Sequence, residues 1–393
     1  MKSMRVGLLS FPFSDGNLGC VALTCSIINV LRDLCGDDLQ IIRLEQDDIP
    51  ERITDFFKDV EFEFKKIKLK DFKRETIKAF KSCDIIIDVT FGDNFSDIYS
   101  EKFVLKTTLF KELVTISKTP LILAPQTYGP FSNSFLRMFA AHVIKKSKMV
   151  YSRDAVSTDF VKKISGINAM TVTDLAFALP KREVAVPKSD KMDIGIGISG
   201  LLWRGSFNNS SKFSTLKVDY VEYINKLIGY LVKSEKCNIH LIPHVIALED
   251  STIDGDWNEC KEIHLKNDKT ILAPKFADPM EAKGYISNMD IFIGARMHST
   301  IAAFSTGVVT IPFAYSRKFQ GLYDNLNYPY YVDGTVLDTQ QAFEKTIKFI
   351  NQKQVLRQAQ KKSMDIIGDK LNEFKEDLKL QLDSCGGKEN YGK

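Results

Sequence analysis

The chain has 393 residues, of which 44% are hydrophobic and 26% are charged, with 22 glycines and 12 prolines. This composition is typical of a globular protein and excludes collagen-like and disordered chains, while the length predicts two domains. The 54 lysines and arginines exceed the 50 acidic residues by four. Because both signs are interspersed along the sequence, this surplus does not indicate a nucleic-acid partner.

The N-terminal residues and the cysteines indicate the compartment. The first apolar run is short and ends at Phe11-Pro12, so no signal peptide is expected, and no run of 18 apolar residues predicts a membrane-spanning helix. The seven cysteines are scattered without a Cys-x-x-Cys pair, which predicts neither disulfides nor a zinc site. We therefore expect a cytoplasmic protein without a bound metal. Basic stretches such as 145–148 leave contact with the inner face of a membrane open.

Short apolar runs alternate with amphipathic stretches from the start of the chain. Residues 5–10 predict a strand, and the helix after it has Leu23, Ile27 and Leu31 at helical spacing. In the first half, further strands are predicted at 39–44, 84–89, 121–124, 149–152 and 170–173, and helices at 97–117 and 132–146. Near-continuous apolar strands between helices indicate a parallel sheet covered on both faces. The stretch 59–75 predicts an extra amphipathic strand at a solvated edge.

The alternation restarts after a segment rich in proline and lysine at 181–191, which we interpret as a linker. Strands are then predicted at 194–199, 239–243, 270–273, 290–294, 308–312 and 330–332. The predicted fold class is α/β, with two Rossmann-like doubly wound lobes facing a cleft. The predicted domains are an N-terminal lobe at 1–180, a C-terminal lobe at 192–353, a helix at 354–383 that could cross back onto the first lobe, and a flexible tail at 384–393.

The most informative stretch is 291–309, where a predicted strand ends and a short helix begins. Arg296 and His298 lie in the turn, and Ser299 or Thr300 can cap the helix. Backbone amides at a helix N-terminus suit an anion, a guanidinium fits carboxylate or phosphate, and an imidazole can move a proton. The alternative is that Arg296 pairs with a structural acid and that His298 only completes the turn.

Other strand ends carry polar residues too, and ligands of open α/β sheets bind at those ends. Asp93 could act as an acid or a base, Gln126 and Tyr128 could bind sugar hydroxyls, and Arg153 could hold a second anion. Turn formation or a local ion pair is the structural alternative for each of them. Further candidates at strand ends are Asn17, Asn94 and His244.

A set of short motifs resembles the polysaccharide pyruvyl transferase family. The motifs are Gly16-Asn17-Leu18-Gly19, Gly92-Asp93-Asn94, Pro125-Gln126-Thr127-Tyr128-Gly129-Pro130, Ser152-Arg153-Asp154, Thr173-Asp174, Pro243-His244 and Gly294-Ala295-Arg296-Met297-His298. The resemblance runs from about residue 5 to residue 315. Many relatives have an acidic residue soon after the first motif, whereas this chain has Cys20-Val21-Ala22.

This resemblance implies a GT-B-like fold and an enzyme that moves the enolpyruvyl unit of phosphoenolpyruvate (PEP) onto a sugar, forming a pyruvate ketal. By the same resemblance, Arg153, Arg296 and Ser299 would bind PEP, and His298 would assist at the reacting end. The acceptor would contact Asn17, Asn94, Gln126, Tyr128 and His244.

The chemistry of such a transfer matches these residue types. PEP must be protonated at its methylene carbon, hydroxyl protons must be accepted, and arginines must hold the negative charges of the donor. His298 and Asp93 are the candidates for acid and base, in either order. We expect no metal and no cofactor besides the donor PEP, and a saccharide acceptor that could be lipid-linked during surface-polysaccharide synthesis.

Two other functions remain open on the sequence. The same fold could serve a glycosyltransferase with a nucleotide-sugar donor, with Arg296 on the diphosphate. A two-lobed solute-binding protein is the second alternative, although the missing signal peptide and the unpaired cysteines argue against it. The sequence carries no signal for an oligomeric state.

Overall fold

A computed structural model describes residues 3–46, 53–69, 74–98, 100–187, 189–205, 216–246 and 255–385. The flexible tail predicted at 384–393 lies outside the described residues from residue 386 onward. Residue 188 of the predicted linker and residues 70–73 of the stretch predicted as an edge strand also lie outside them.

The chain forms two compact units. The first unit comprises Met1–Ser14, Leu23–Ala178 and Gly368–Lys393, and the second comprises Asp15–Ala22 and Leu179–Ile367. The boundary after residue 178 lies close to the predicted end of the N-terminal lobe at 180. Residues 15–22 depart from the predicted lobes, because they belong to the second unit. The chain after residue 367, which continues the helix predicted to cross back, belongs to the first unit.

The first half of the chain alternates strands and helices. Its elements are β1 (Met4–Leu9), α1 (Leu18–Cys35), β2 (Leu39–Glu45), β3 (Glu61–Lys66), α2 (Glu75–Lys81), β4 (Ile85–Asp88), α3 (Glu101–Ser117), β5 (Leu121–Gln126), α4 (Ser134–Lys146), β6 (Met149–Ser152), α5 (Ala155–Ser165) and β7 (Met170–Thr171). The strands pair in parallel in the order β3-β2-β1-β4-β5-β6-β7. The predicted amphipathic edge strand is confirmed as β3, whose side chains are partly exposed.

The second half repeats the scheme. Its elements are β8 (Met192–Gly197), α6 (Gly200–Trp203), α7 (Tyr220–Ser234), β9 (Cys237–Ile242), α8 (Trp257–Lys266), β10 (Thr270–Leu272), α9 (Pro279–Ile286), β11 (Ile291–Gly294), α10 (Met297–Ser305), β12 (Val309–Ala314), α11 (Arg317–Asn325), β13 (Val332–Asp333), α12 (Thr339–Asn351) and α13 (Lys353–Asp383). The strands again pair in parallel, in the order β10-β9-β8-β11-β12-β13. The predicted α/β class with two doubly wound, Rossmann-like sheets is confirmed.

The alternating sequence of β8 shows how the second sheet packs. Ile194 and Ile196 point into a core cluster shared with α7 and α12. On the other face, a Cβ at Gly195 would lie 2.9 Å from the ring of Phe292, and one at Gly197 would lie 2.8 Å from the same ring. The two glycines therefore make room for Phe292, which belongs to a second cluster with α9 and α10. Helices cover both faces, as the sequence predicted.

One helix departs from the expectation that no segment could span a membrane. The stretch Leu18–Asp38 is 21 residues long with a mean hydropathy of 1.6, so it is long and apolar enough to cross a bilayer. Two thirds of it is buried inside the protein. Val30 and Leu31 are among its fully buried side chains, so the same apolar sequence supplies a core helix.

The segment predicted as a linker packs on the second unit. The Arg182 amide donates to the Met280 carbonyl at 3.0 Å, and its guanidinium forms a 2.6 Å ion pair with Asp278. The side-chain amide of Asn288 donates to the Val184 carbonyl at 3.0 Å. Residues 182–184 thus lie along α9 as part of the folded unit.

Candidate functional site

The strongest candidate site lies at the carboxyl edge of the second sheet. The strand order reverses between β8 and β11, and in such sheets the loops after the two diverging strands leave a crevice for ligands. Gly200 follows β8, and Arg296 and His298 follow β11 at the start of α10. The sequence-predicted residues of this half therefore lie where a doubly wound sheet binds its ligand.

Arg296 is held by a buried carboxylate. Its Nη2 donates to Asp256 Oδ1 at 2.6 Å, and its Nε lies 3.2 and 3.3 Å from the two Asp256 oxygens. Arg296 is nearly buried and Asp256 is fully buried. The structure thus shows the ion pair considered as the structural alternative for Arg296, and its contact with PEP stays a prediction.

Asp256 organises the polar groups around Arg296. Its Oδ1 also accepts from the Gly200 amide at 2.8 Å, and its Oδ2 accepts from the amides of His244 and Val245 at 3.1 and 2.8 Å. One carboxylate therefore ties the loops after β8, β9 and β11 together. The sequence analysis missed Asp256, whose only local signal is an acidic residue directly before α8.

His244 is a buried imidazole that stays neutral. Burial, helped by the nearby His298 and Arg296, lowers the pKa of His244 to about 3. Neither ring nitrogen has a hydrogen-bond partner among the described residues, although a buried polar group normally has one. His244 is therefore suited to exchange hydrogen bonds with a ligand, and its predicted contact with an acceptor stays a prediction.

The first turn of α10 carries His298 and Ser299. The partly buried His298 ring lies directly against the backbone of Gly19. Ser299 is fully buried, and its hydroxyl donates to the Arg296 carbonyl at 2.8 Å. This bond gives Ser299 a structural role in the turn, and its contact with PEP stays a prediction. The side chain of the N-cap residue Arg296 makes no cap hydrogen bond to the start of α10.

Asn17 lies with the second unit rather than with the predicted N-terminal lobe. Its side-chain oxygen accepts from the Gly19 amide at 3.0 Å, as an N-cap residue does. Its backbone forms an antiparallel bridge with Val245. The oxygen of Asn17 thus serves the start of α1, and the predicted contact of Asn17 with an acceptor stays a prediction.

In the first unit, Arg153 is also held by a carboxylate. Its Nη1 lies 3.0 Å from Asp174 Oδ2, and both side chains are buried. A Cβ at Gly92 would lie 3.8 Å from the same Nη1. The structure thus brings together three of the sequence motifs, those at 92–94, 152–154 and 173–174. The sequence analysis gave Asp174 no role, and Arg153 as an anion clamp stays a prediction.

The turn after β4 has an unusual backbone. Thr90, Phe91 and Gly92 all have positive φ, at 41°, 56° and 85°, which is costly for the two residues that are not glycine. The Thr90 hydroxyl donates to Asp88 at 2.6 Å, and Asp88 forms a buried ion pair with Lys111 at 3.1 Å. This pair holds the turn that carries Asp93 and Asn94, both of which are half-buried. Their roles in catalysis and acceptor binding stay predictions.

Gln126 and Tyr128 differ in how they fit the predicted acceptor site. The Tyr128 hydroxyl donates to the Tyr151 carbonyl at 2.9 Å, and its ring packs on Phe95 in the core. Tyr128 therefore has a structural role, and its contact with an acceptor stays a prediction. Gln126 is also fully buried, but its side-chain oxygen has no hydrogen-bond partner among the described residues. It stays a candidate for binding a polar ligand group.

Several solved structures share the fold. Anabaena HepE in complex with UDP and glucose is 11% identical with a TM-score of 0.57, covering 97% of this chain and 100% of that one. A UDP-N-acetylglucosamine 2-epimerase is 10% identical with a TM-score of 0.58, covering 95% and 97%. S. aureus MnaA with UDP is 10% identical with a TM-score of 0.56, covering 92% and 91%. These likenesses show the GT-B-like fold that the motif resemblance implied.

The sequence comparisons show the family. None of the curated proteins matches the sequence significantly. The family model described as polysaccharide pyruvyl transferase matches residues 17–317, which is about three quarters of the chain. The match includes the turn that carries Arg296 and His298, and the turns that carry Asp93 and Arg153. The chain therefore belongs to the polysaccharide pyruvyl transferase family.

Proposed function

We propose that this protein transfers the enolpyruvyl group of PEP to a saccharide, forms a cyclic pyruvate ketal and releases phosphate. Family membership supports pyruvylation of a polysaccharide. The observation that carries the choice of donor is the start of α10, where Arg296, His298 and the unpartnered His244 lie around a helix N-terminus. Such an arrangement fits a small ligand with carboxylate and phosphate groups.

Donor binding rests on groups with fixed orientation. Asp256 holds the Arg296 guanidinium from one side, so its orientation is set before a ligand arrives. Backbone amides in the first turn of α10 can donate to phosphate oxygens. His244 is neutral and can donate one hydrogen bond without adding charge. Arg153, whose guanidinium Asp174 holds in the same way, is the proposed second clamp.

The proposed reaction balances with these groups. A general acid delivers a proton to the methylene carbon of PEP, and a sugar hydroxyl forms a bond to the resulting cationic C2 while losing its proton to a base. A second hydroxyl then attacks C2, its proton is lost, and the C2–O bond to phosphate breaks. His298 and Asp93 are the proposed acid and base, in either order. The proposed steps need no metal and no cofactor besides the donor.

The experiment that tests the donor uses PEP with a panel of saccharide acceptors. We expect phosphate release that depends on the acceptor and a product with the mass of a pyruvate ketal. The Arg296→Lys variant keeps the positive charge beside Asp256 but loses the planar fork, so phosphate release should fall at least about 100-fold. Arg182→Lys, which alters another arginine–aspartate pair of the same unit, is the matched control.

A nucleotide sugar is the second candidate donor, because two of the similar structures hold UDP. Thermal-shift measurements with PEP, UDP-glucose and UDP-N-acetylglucosamine separate the two. Stabilisation by PEP alone is the expected result. Turnover of a UDP-sugar, with no phosphate released from PEP, would contradict the proposed donor.

We further propose a lipid-linked acceptor and a position at the cytoplasmic face of the membrane. The outer face of α4 supports this proposal, because Phe135 and Met138 are 56% and 66% exposed there. The same helix contains no acidic residue and ends with Lys145 and Lys146. Exposed apolar side chains beside lysines are typical of surfaces that bind anionic bilayers.

A further inference from the structure

The glycine motif at 16–19 has a use that differs from ligand binding. We propose that Gly19 is a positioning residue, which holds the imidazole of His298 in the orientation that proton transfer needs. The proposal rests on the function proposed above for His298. It gives the first motif of the chain a role inside the second unit, to which residues 15–22 belong.

The approach between Gly19 and His298 is too close for any side chain. A Cβ at Gly19 would lie 2.3 Å from His298 Nδ1, 2.7 Å from Cγ and 2.9 Å from Cβ. These atoms include the root of the histidine side chain, so a rotation about its outer bonds could not relieve all three contacts. The backbone of Gly19, which has no side chain, therefore lies directly against the His298 ring. We call this part of the backbone the wall.

Backbone conformation does not explain a glycine at this position. Gly19 is the second residue of α1, and its φ is outside the left-handed region that requires glycine. Glycine is less favourable than alanine within a helix. The contact with His298 is thus the feature that excludes a larger residue. Gly229 in α7 is different, since a Cβ there would meet nothing within 4 Å.

The wall is fixed to the same framework that holds Arg296. The Leu18 amide donates to the His244 carbonyl at 3.2 Å, and the Ile246 amide donates to the Gly16 carbonyl at 2.7 Å. The His244 amide in turn donates to Asp256, which binds Arg296. The motif, His244 and Arg296 therefore share one hydrogen-bonded network, and the His298 ring lies against the motif. If the His298 ring were displaced, its nitrogen atoms would no longer be correctly placed relative to a PEP molecule bound by Arg296.

The first experiment compares Gly19→Ala with Gly229→Ala. In Gly19→Ala we expect the ring resonances of His298 to move in an NMR spectrum in which only five histidines contribute. We also expect kcat to fall about 10- to 100-fold, with KM for PEP changed less than about three-fold, because orientation and not charge is altered. Gly229→Ala should leave the His298 resonances and kcat unchanged.

The second experiment is a double-mutant cycle read by melting temperature. Gly19→Ala should lower the melting temperature of the wild type but have little effect in a His298→Gly background, where both the ring and its Cβ are gone. If Gly19→Ala alone does not fold, the double variant should fold. Equal losses in both backgrounds, or unchanged His298 resonances, would overturn the proposal. The NMR spectra and the double-mutant cycle do not require turnover. They therefore test the contact between Gly19 and His298 even if PEP is not the donor substrate.

Discussion

At the scale of single residues, two side chains set the electrostatics of the candidate site. Asp256 neutralises part of the charge of Arg296 and fixes the orientation of its guanidinium. Arg296 is therefore a hydrogen-bond donor with a fixed orientation rather than a mobile counter-ion. The His244 ring lies close by and is uncharged, because burial lowers its pKa. The site can thus accept an anion without a second buried cation competing with Arg296 for Asp256.

The neutral state of His244 predicts how stability depends on pH. The pKa of His244 is about 3 in the folded protein and near 6.5 in an unfolded chain, so below pH 6.5 the unfolded state binds a proton that the folded state does not. Stability must therefore fall as the pH falls. Between pH 7 and pH 5 the wild type should lose about 2 kcal/mol more than His244→Gln does. Urea denaturation at both pH values measures this difference.

A matched control isolates the buried histidine. His142 lies at the surface beside Glu112, and His142→Gln leaves His244 in place, so the loss of stability that depends on the buried histidine should remain in this variant. If His244→Gln also follows the wild type, then His244 is protonated in the folded state, and its proposed role as an uncharged ligand contact is wrong.

The residues of the site differ in how far the sequence could predict them. Arg296 and His298 follow a buried strand directly, so their position at the carboxyl edge of a sheet follows from local pattern. Asp256 lies 40 residues from Arg296 along the chain, and only the strand order and the path after β9 bring the two together. The hydroxyls of Ser299 and Tyr128 donate to backbone carbonyls, and these hydrogen bonds could not be predicted from the sequence because they depend on how the chain folds.

At the scale of elements, the periodicity of the sequence predicts most of the sheet. The strands are apolar enough to be recognised because helices cover both of their faces. Helix ends are less accurate: the helix predicted from residue 97 begins at Glu101, where Ser100 accepts from the Phe103 amide. The C-terminal helix predicted at 354–383 corresponds to α13, whose residues up to Ile367 belong to the second unit and whose residues from Gly368 belong to the first. The residue at which it passes between the units could not be predicted from the sequence.

The second half of α13 should be essential to the first unit. The Phe374 ring packs edge-on against Tyr151, and the Tyr151 hydroxyl donates to Asp377 at 2.5 Å. Phe374 is almost fully buried. Phe374→Ala should therefore lower the free energy of unfolding by roughly 3–5 kcal/mol, as in other large-to-small core substitutions.

Chemical denaturation followed by circular dichroism measures this loss. Leu380→Ala is the control on the same helix, because Leu380 is 66% exposed and should cost less than about 1 kcal/mol. Similar losses for both variants would mean that helix propensity, and not packing against Tyr151, decides the stability of this part.

At the scale of the whole molecule, the net charge of +4 conceals an uneven distribution. Residues 101–148 contain eight basic and two acidic residues, a local excess of six. The basic residues are Lys102, Lys106, Lys111, Lys118, Arg137, Lys145, Lys146 and Lys148, and the acidic ones are Glu101 and Glu112. Of the basic ones, only Lys111 is buried, in its ion pair with Asp88. The rest of the chain is therefore slightly negative.

This distribution predicts binding to anionic membranes. The protein should sediment with vesicles that contain phosphatidylglycerol and not with pure phosphatidylcholine, and salt should weaken the binding. The double variant Lys145→Gln/Lys146→Gln should bind roughly 10- to 30-fold more weakly, since each lysine near the surface contributes about 1 kcal/mol. Lys266→Gln, on α8 of the second unit, is the control. Equal sedimentation with both kinds of vesicle would contradict the role of α4.

The path of the chain through its two units limits how the protein can be divided or recombined. It passes between the units after residues 14, 22, 178 and 367. An N-terminal fragment that ends near residue 180 would lack the part of α13 whose Phe374 packs on Tyr151. The remaining C-terminal fragment would lack Gly19, which lies against the His298 ring. Exchange of one unit between relatives therefore needs several simultaneous crossovers, so donor and acceptor specificities are expected to be inherited together, as one evolutionary module.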